Sequence, residues 1–258
     1  MTYEPWLTYF QRNPERHRFF DSAIDWNAES PMTPGQTRAI ARSLQRFELG
    51  EGGDGKLLLA NAVRAGDPVY TEALKLFVAE EQKHSALFLR ALQYLSCLPL
   101  EAHWSDRAFV LLRRALGLRT ELMLLLVAET VALEYFRALR DGAPDPAIRL
   151  AGARVLMDEQ EHVRFQIHRL ADGFRGTSKL LRRLVHTAWW AVAIGAAGVV
   201  AWDHRGALKA CGMPPLQFLP TALRQFAQAS SAVMSPAPGA AYGPSSAAYR
   251  LPPEPAKA

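Results

Sequence analysis

Residues 67–84 read DPVYTEALKLFVAEEQKH, and residues 145–162, 78 positions later, read DPAIRLAGARVLMDEQEH. The two stretches align without a gap. Asp67-Pro68 falls on Asp145-Pro146, and Glu81-Gln82-Lys83-His84 falls on Glu159-Gln160-Glu161-His162. Asp-Pro opens a helix in each copy, because the Asp side chain accepts from orphan N–H groups and Pro supplies the φ of the first turn. The same step carries Glu51 onto Glu129, Ala60 onto Ala138, Ala65 onto Ala143, Ala73 onto Ala151, Leu92 onto Leu170, and acidic Glu80 onto acidic Asp158. A lone Glu therefore precedes each Glu-x-x-His by the same 30 residues.

Working outward from the repeat, apolar residues recur at three- and four-residue spacing, with no run of alternating β-branched residues bounded by turns. The chain reads as all-α. Thr33-Pro34-Gly35-Gln36 is a capping box with Pro at the first helical position, so one helix is expected from Pro34 to about Ala65. A second runs from Pro68 to about Cys97, a third carries LMLLLVAETVALEYF and ends near Arg140, and a fourth runs from Pro146 to about Gly173. Leu98 to Thr120 is long enough to cross a bundle and is expected to include a short helix over 106–116. Two antiparallel helix pairs related by a pseudo-twofold axis follow from the repeat.

Positions i and i+3 of a helix lie on one face, about 5–6 Å apart at Cβ, so Glu81 and His84 reach a common point, as do Glu159 and His162. Four carboxylates neutralise two divalent cations, and two imidazoles suit iron, manganese or zinc better than calcium or magnesium. With 15 Glu and 7 His among 258 residues, about 0.4 Glu-x-x-His matches arise by chance. Demanding a Glu at one fixed distance before both motifs cuts that by roughly 300-fold.

On these six residues, Glu51, Glu81, His84, Glu129, Glu159 and His162, the stretch 33–173 resembles the ferritin-like di-iron carboxylate superfamily. The resemblance implies a ferritin-like four-helix bundle with one long crossover, holding two Fe ions or a Mn/Fe pair. It also implies that an acid preceding each ligand Glu receives the N–H of the opposite histidine: Asp158 for His84 and Glu80 for His162. The activity implied is activation of O2 to oxidise a small or apolar organic substrate, fed by an external electron donor. Iron handling or peroxide scavenging of the ferritin or rubrerythrin type is the alternative, and a non-catalytic metal-binding bundle at a membrane is the third reading.

Gly50-Glu51-Gly52-Gly53-Asp54-Gly55 surrounds the first of the six with glycine, each costing up to about 1 kcal/mol in a helix interior. Because its second copy around Glu129 is plainly helical, the helix is expected to continue through it with a local distortion. The missing side chains leave room beside the metals or allow close helix packing. Glu48, one turn before Glu51, is a supplementary ligand or a supporting residue. Glu134 should point elsewhere, and His17, His103, His168, His186 and His204, with no Glu three residues earlier, are given no metal role.

Outside the bundle, residues 1–32 form an N-terminal aromatic arm that covers the pocket or makes a homodimer contact. Residues 174–228 are expected to add further helices, and 229–258, rich in Ala, Pro and Ser, read as a disordered tail. Leu184 to Trp202 is a mostly apolar 19-residue stretch whose length permits a membrane span. Its His, Thr, glycines and alanines favour a buried fifth helix, with contact at a membrane surface as the next reading. Two distant cysteines, Cys97 and Cys211, exclude a CxxC zinc ribbon or rubredoxin module and fit a reducing cytoplasm, and no signal peptide is evident. A net charge of +5 from scattered bases gives no case for nucleic acid.

Overall fold

A computed structural model describes residues 2–104, 117–235 and 242–246. Among these the chain is helical and carries no strand. The helices are α1 (Glu4–Ala23), α2 (Pro34–Glu51), α3 (Lys56–Ala65), α4 (Pro68–Tyr94), α5 (Gly117–Gly142), α6 (Pro146–Gly173), α7 (Lys179–Asp203), α8 (Arg205–Ala210) and α9 (Pro215–Met234). The expected helix over 106–116 lies outside the described residues.

The start signals act as the sequence implies. Thr33 Oγ1 accepts from the backbone N–H of Gln36, whose side chain in turn accepts from the Thr33 N–H. Asp67 and Asp145 accept from the backbone N–H groups of Tyr70 and Ile148. α2 pairs with α4 and α5 with α6, and the two pairs close on each other around a continuous apolar core. The closest approach within the second pair is at Gly152, where a Cβ would sit 2.7 Å from that of Leu139 and 3.1 Å from the Arg140 nitrogen.

Three expectations are corrected. The helix from Pro34 does not continue to Ala65: it stops at Glu51 and restarts as α3 after Gly55. The glycines win over the repeat here, since Gly55 adopts φ +60° and a Cβ on it would lie 2.8 Å from the Val78 methyls, so the break is built into the packing. Residues 1–32, expected as an aromatic arm, hold a helix: α1 is 20 residues long and buries Trp6, Tyr9, Phe10, Asn13 and His17 against α4 and α6. The tail does not begin at residue 229, because α9 runs on to Met234 with Ala229, Ser230, Val233 and Met234 buried. Further on, Ser245 donates from both its N–H and its hydroxyl to the Glu161 carboxylate.

α7 lies along the bundle on α5 and α9. Trp189, Ala193, Ala197 and Ala201 form its buried stripe, and the Trp189 indole donates to the Met123 carbonyl at 2.8 Å.

Candidate metal centre

Glu81 and His84 project from one turn of α4, and Glu159 and His162 from the matching turn of α6. One side-chain atom from each lies within 4.8 Å of one from every other. His162 Nδ1 is 2.7 Å from Glu81 Oε1, His84 Nδ1 is 3.2 Å from Glu159 Oε1, and the two rings are 5.5 Å apart. Glu51, the last residue of α2, and Glu129 of α5 flank this quartet. Glu51 hydrogen-bonds with Glu81 and lies close enough to Glu159 and Glu129 to be repelled by both. Glu129 Oε1 accepts from Gln166.

Among the described residues, Oε2 of Glu159 and Oε2 of Glu129 have no hydrogen-bond partner, and Oε1 of Glu81, Oε1 of Glu159 and Nδ1 of both histidines face only one another. Orphan polar atoms of this kind are rare in a folded interior. Here they all belong to five side chains around one point, and every one is a metal-donor type. The residues present therefore fit a pair of cations.

The histidines are oriented from behind. Nε2–H of His84 donates to Asp158 Oδ2 at 2.9 Å, and Nε2–H of His162 donates to Glu80 Oε2 at 3.0 Å, the two cross-helix pairings that the resemblance implies. These contacts leave each Nδ1 facing inward. Sequence reasoning missed the layer outside them. Asn13 of α1 donates to both Glu80 (2.8 Å) and Asp158 (3.0 Å), His17 lies 3.1 Å from Asp158, and Arg154 donates to Asp158. His17, Glu80 and Asp158 thus converge although His17 lacks the Glu-x-x-His signature. The one available signal was that Asn13 and His17 sit four apart on a face otherwise made of aromatics.

Glu48 does not join the cluster; it accepts from Ser85 at 3.3 Å. Glu134 is turned to Arg137, and His204 shares Ser43 with the Tyr135 hydroxyl.

Burial, then the neighbouring glutamates, raise the carboxyls of Glu51, Glu129 and Glu159. Burial opposes ionisation of Glu81 as well, but its bonds with Glu51 and His162 prevail and draw it down to about 2. Burial alone would lower the histidines, yet Asp158 and Glu159 raise His84 to about 9, and Glu81 and Glu80 raise His162 well above its usual range.

The carboxylates of Glu51, Glu81, Glu129 and Glu159 contribute to the wall of a 530 Å³ cavity, otherwise largely apolar. Phe77 and Val78 of α4, Leu124, Val127 and Val131 of α5, and Val192, Ala196 and Val199 of α7 form most of it. The α2–α3 break contributes Gly50, Gly53 and Gly55, so room beside the cluster, not helix contact, is what Gly50 and Gly53 provide.

No family model matches the sequence, and no curated protein does. Among solved structures, the fold is similar to a variant of an R2-like ligand-binding oxidase with an anaerobically reconstituted Mn/Fe cofactor. The TM-score is 0.62 at 16% identity, over 90% of this chain and 94% of that one. The fold is ferritin-like. In this ferritin-like bundle the repeated Glu-x-x-His motifs occupy the facing helices α4 and α6, and the lone glutamates occupy α2 and α5.

Proposed function

We propose that the chain is a dinuclear iron, or manganese/iron, oxidoreductase that uses O2 to oxidise a small or apolar organic substrate. The observation that carries this reading is the meeting of buried carboxylate and imidazole atoms, which face one another or no partner, with the wall of an apolar cavity. Glu51, Glu81, His84, Glu129, Glu159 and His162 would hold the two ions. Bound there, the metals supply the electrons and Lewis acidity for reducing O2.

The protein's own residues do the rest. Asp158 and Glu80 fix the imidazole tautomers so that a lone pair on each Nδ1 faces the cluster. The leucines and valines of α5 and α7 exclude water and accept an apolar molecule beside the carboxylates. A volume of 530 Å³ is that of a small-molecule site. Such a site serves oxidation of a bound substrate and has no purpose in iron storage, which places the oxidase reading ahead of the ferritin or rubrerythrin one. The Mn/Fe cofactor of the structurally similar oxidase supports the same choice. Repeated turnover requires an external electron donor, and the unpaired thiols of Cys97 and Cys211 suit the cytoplasm.

Metal content per chain after anaerobic reconstitution with Fe(II), or with Mn(II) and Fe(II), tests the reading. About two metals are expected in the wild type and almost none in Glu81→Ala/Glu159→Ala, followed by O2 consumption that depends on an apolar substrate. A folded wild type that takes up no metal sinks the proposal.

A further inference from the structure

The outward face of α7 has the wrong chemistry for water. Leu180, Leu184, Ala191, Ile194 and Trp202 recur along it at helical spacing, and all are exposed, Leu184 by 61%, Ile194 by 54% and Trp202 by 68%. From Leu184 to Trp202 no charged residue interrupts it. Only 22% of the most apolar window is buried, so the bundle does not account for this hydrophobicity. At 1.5 Å per residue the stripe is ~33 Å long.

The charge around it is equally one-sided. Residues 174–235 hold seven Lys and Arg and a single acid, Asp203, a net +6 against +5 for the whole chain. The bases are spread along the sequence, and in this segment Asp203 is the single acid, with Arg175 paired to Asp172 just before it at 3.1 Å. Arg175, Lys179 and Arg183 are exposed at one end of the stripe, and Arg205 and Lys209 at the other. Arg205 lies over the Trp202 ring at 4.3 Å. An apolar helix face bounded by exposed bases, with an aromatic at one end, matches an anionic lipid interface.

We propose that α7 docks the protein on the surface of an anionic bilayer with this outer face in the headgroup region. Spanning the membrane would strip the helix of the buried Trp189–Ala201 stripe and of the Trp189 bond to Met123. Surface docking keeps both. A second copy of the chain would present the same basic ends to each other, so like charge weighs against that occupant. The cavity gives the docking a use. Gly50, Gly53, Trp104 and Gly195 line it and are themselves exposed, and Gly195 is the chain neighbour of Ile194 on the docked face. On the oxidase reading, which this step takes over, the substrate class is then an apolar molecule dissolved in the bilayer.

Flotation of the full chain with vesicles tests the docking, using phosphatidylcholine alone and phosphatidylcholine with about 30% phosphatidylglycerol. Binding is expected to the anionic vesicles, weaker to the neutral ones, and reduced at 1 M salt. Leu184→Glu/Ile194→Glu should lose at least about tenfold in bound fraction while keeping its helical signal and melting temperature, since both side chains are exposed. Failure to float with either vesicle overturns the proposal. So does light scattering showing a lipid-free dimer that the double variant splits, which would make the face a contact between copies. Metal analysis on the same sample separates the two readings: vesicle binding without metal leaves the docking standing and removes the oxidase, and metal without vesicle binding does the reverse.

Discussion

Glu159 buries both carboxylate oxygens, Oε1 facing the His84 ring at 3.2 Å and Oε2 without a partner among the described residues, beside Glu81. A lone buried carboxylate costs several kcal/mol, and without metal the centre would lower that cost by taking up protons. Glu51, Glu129 and Glu159 are raised by burial and by neighbouring glutamates, Glu81 among them in every case, and His84 and His162 are raised by the acids around them. Metal must displace those protons, so apparent affinity should climb as pH rises through the neutral range toward about 9, the value for His84. Calorimetry in two buffers of different ionisation enthalpy should report net proton release on Fe(II) or Mn(II) binding; proton uptake would contradict the assignment. One layer out, Asp158 accepts from His84, Asn13 and Arg154 and lies 3.1 Å from His17. Asp158→Ala should weaken metal binding about 10–100-fold, measured by competition with a chelator. At this scale the convergence of Glu81, His84, Glu159 and His162 was legible from spacing, because i and i+3 on a helix leave no freedom about which face they share, while Glu51 and Glu129 were legible only through the repeat. Asn13 and His17 were not legible, since nothing local in α1 shows what a helix more than fifty residues away will present to it.

The same contrast holds for whole helices. α6 was readable at its start from Asp-Pro and close to its end near Gly173, because caps are local chemistry. The α2–α3 break was misjudged because the repeat, a global signal, was set against the glycines, a local one, and Gly55 is held to positive φ by contact with Val78. Where a glycine permits helices to touch, the element cannot tolerate a methyl. Gly152→Ala would drive α5 from α6 at Leu139 and Arg140 and should cost about 1–3 kcal/mol in denaturant unfolding, although alanine is the better helix former. The C-terminal end of α7 is tied down differently, through His204, which burial and then Arg46 and His103 hold down at about 3. The unfolded chain protonates this ring near 6.5, so between about 6.5 and 3 it binds more protons than the folded chain. Stability from this group is complete above 6.5 and drains away as pH falls, at up to ~1.4 kcal/mol per pH unit. Urea midpoints from pH 7.5 to 5 should show the decline, and His204→Phe should flatten it.

Across the whole molecule, the bundle is assembled around a centre that is poor for stability without its ions. Four glutamates contributed by α2, α4, α5 and α6 meet where a core would place leucine. All four main helices therefore share any ion bound between them, and binding should be felt as global stability. A ligand at 100 times its Kd adds about 2.7 kcal/mol, and for a chain of this size each kcal/mol is about 2–4 °C in Tm. Metal-loaded wild type is thus expected to melt about 5–10 °C above its metal-free form. Glu51→Gln separates the two contributions, because amide replaces carboxyl at nearly constant volume and Glu51 is the group most directly crowded by Glu81. Without metal the variant should melt no lower than wild type, since burial and the neighbouring glutamates already favour the neutral form of Glu51, which the amide reproduces. With metal its gain should shrink by at least half, as a donor is missing. A variant that melts lower without metal yet keeps the full gain would instead make Glu51 a structural end to α2, and would leave the cluster on α4, α5 and α6 to hold the ions without it.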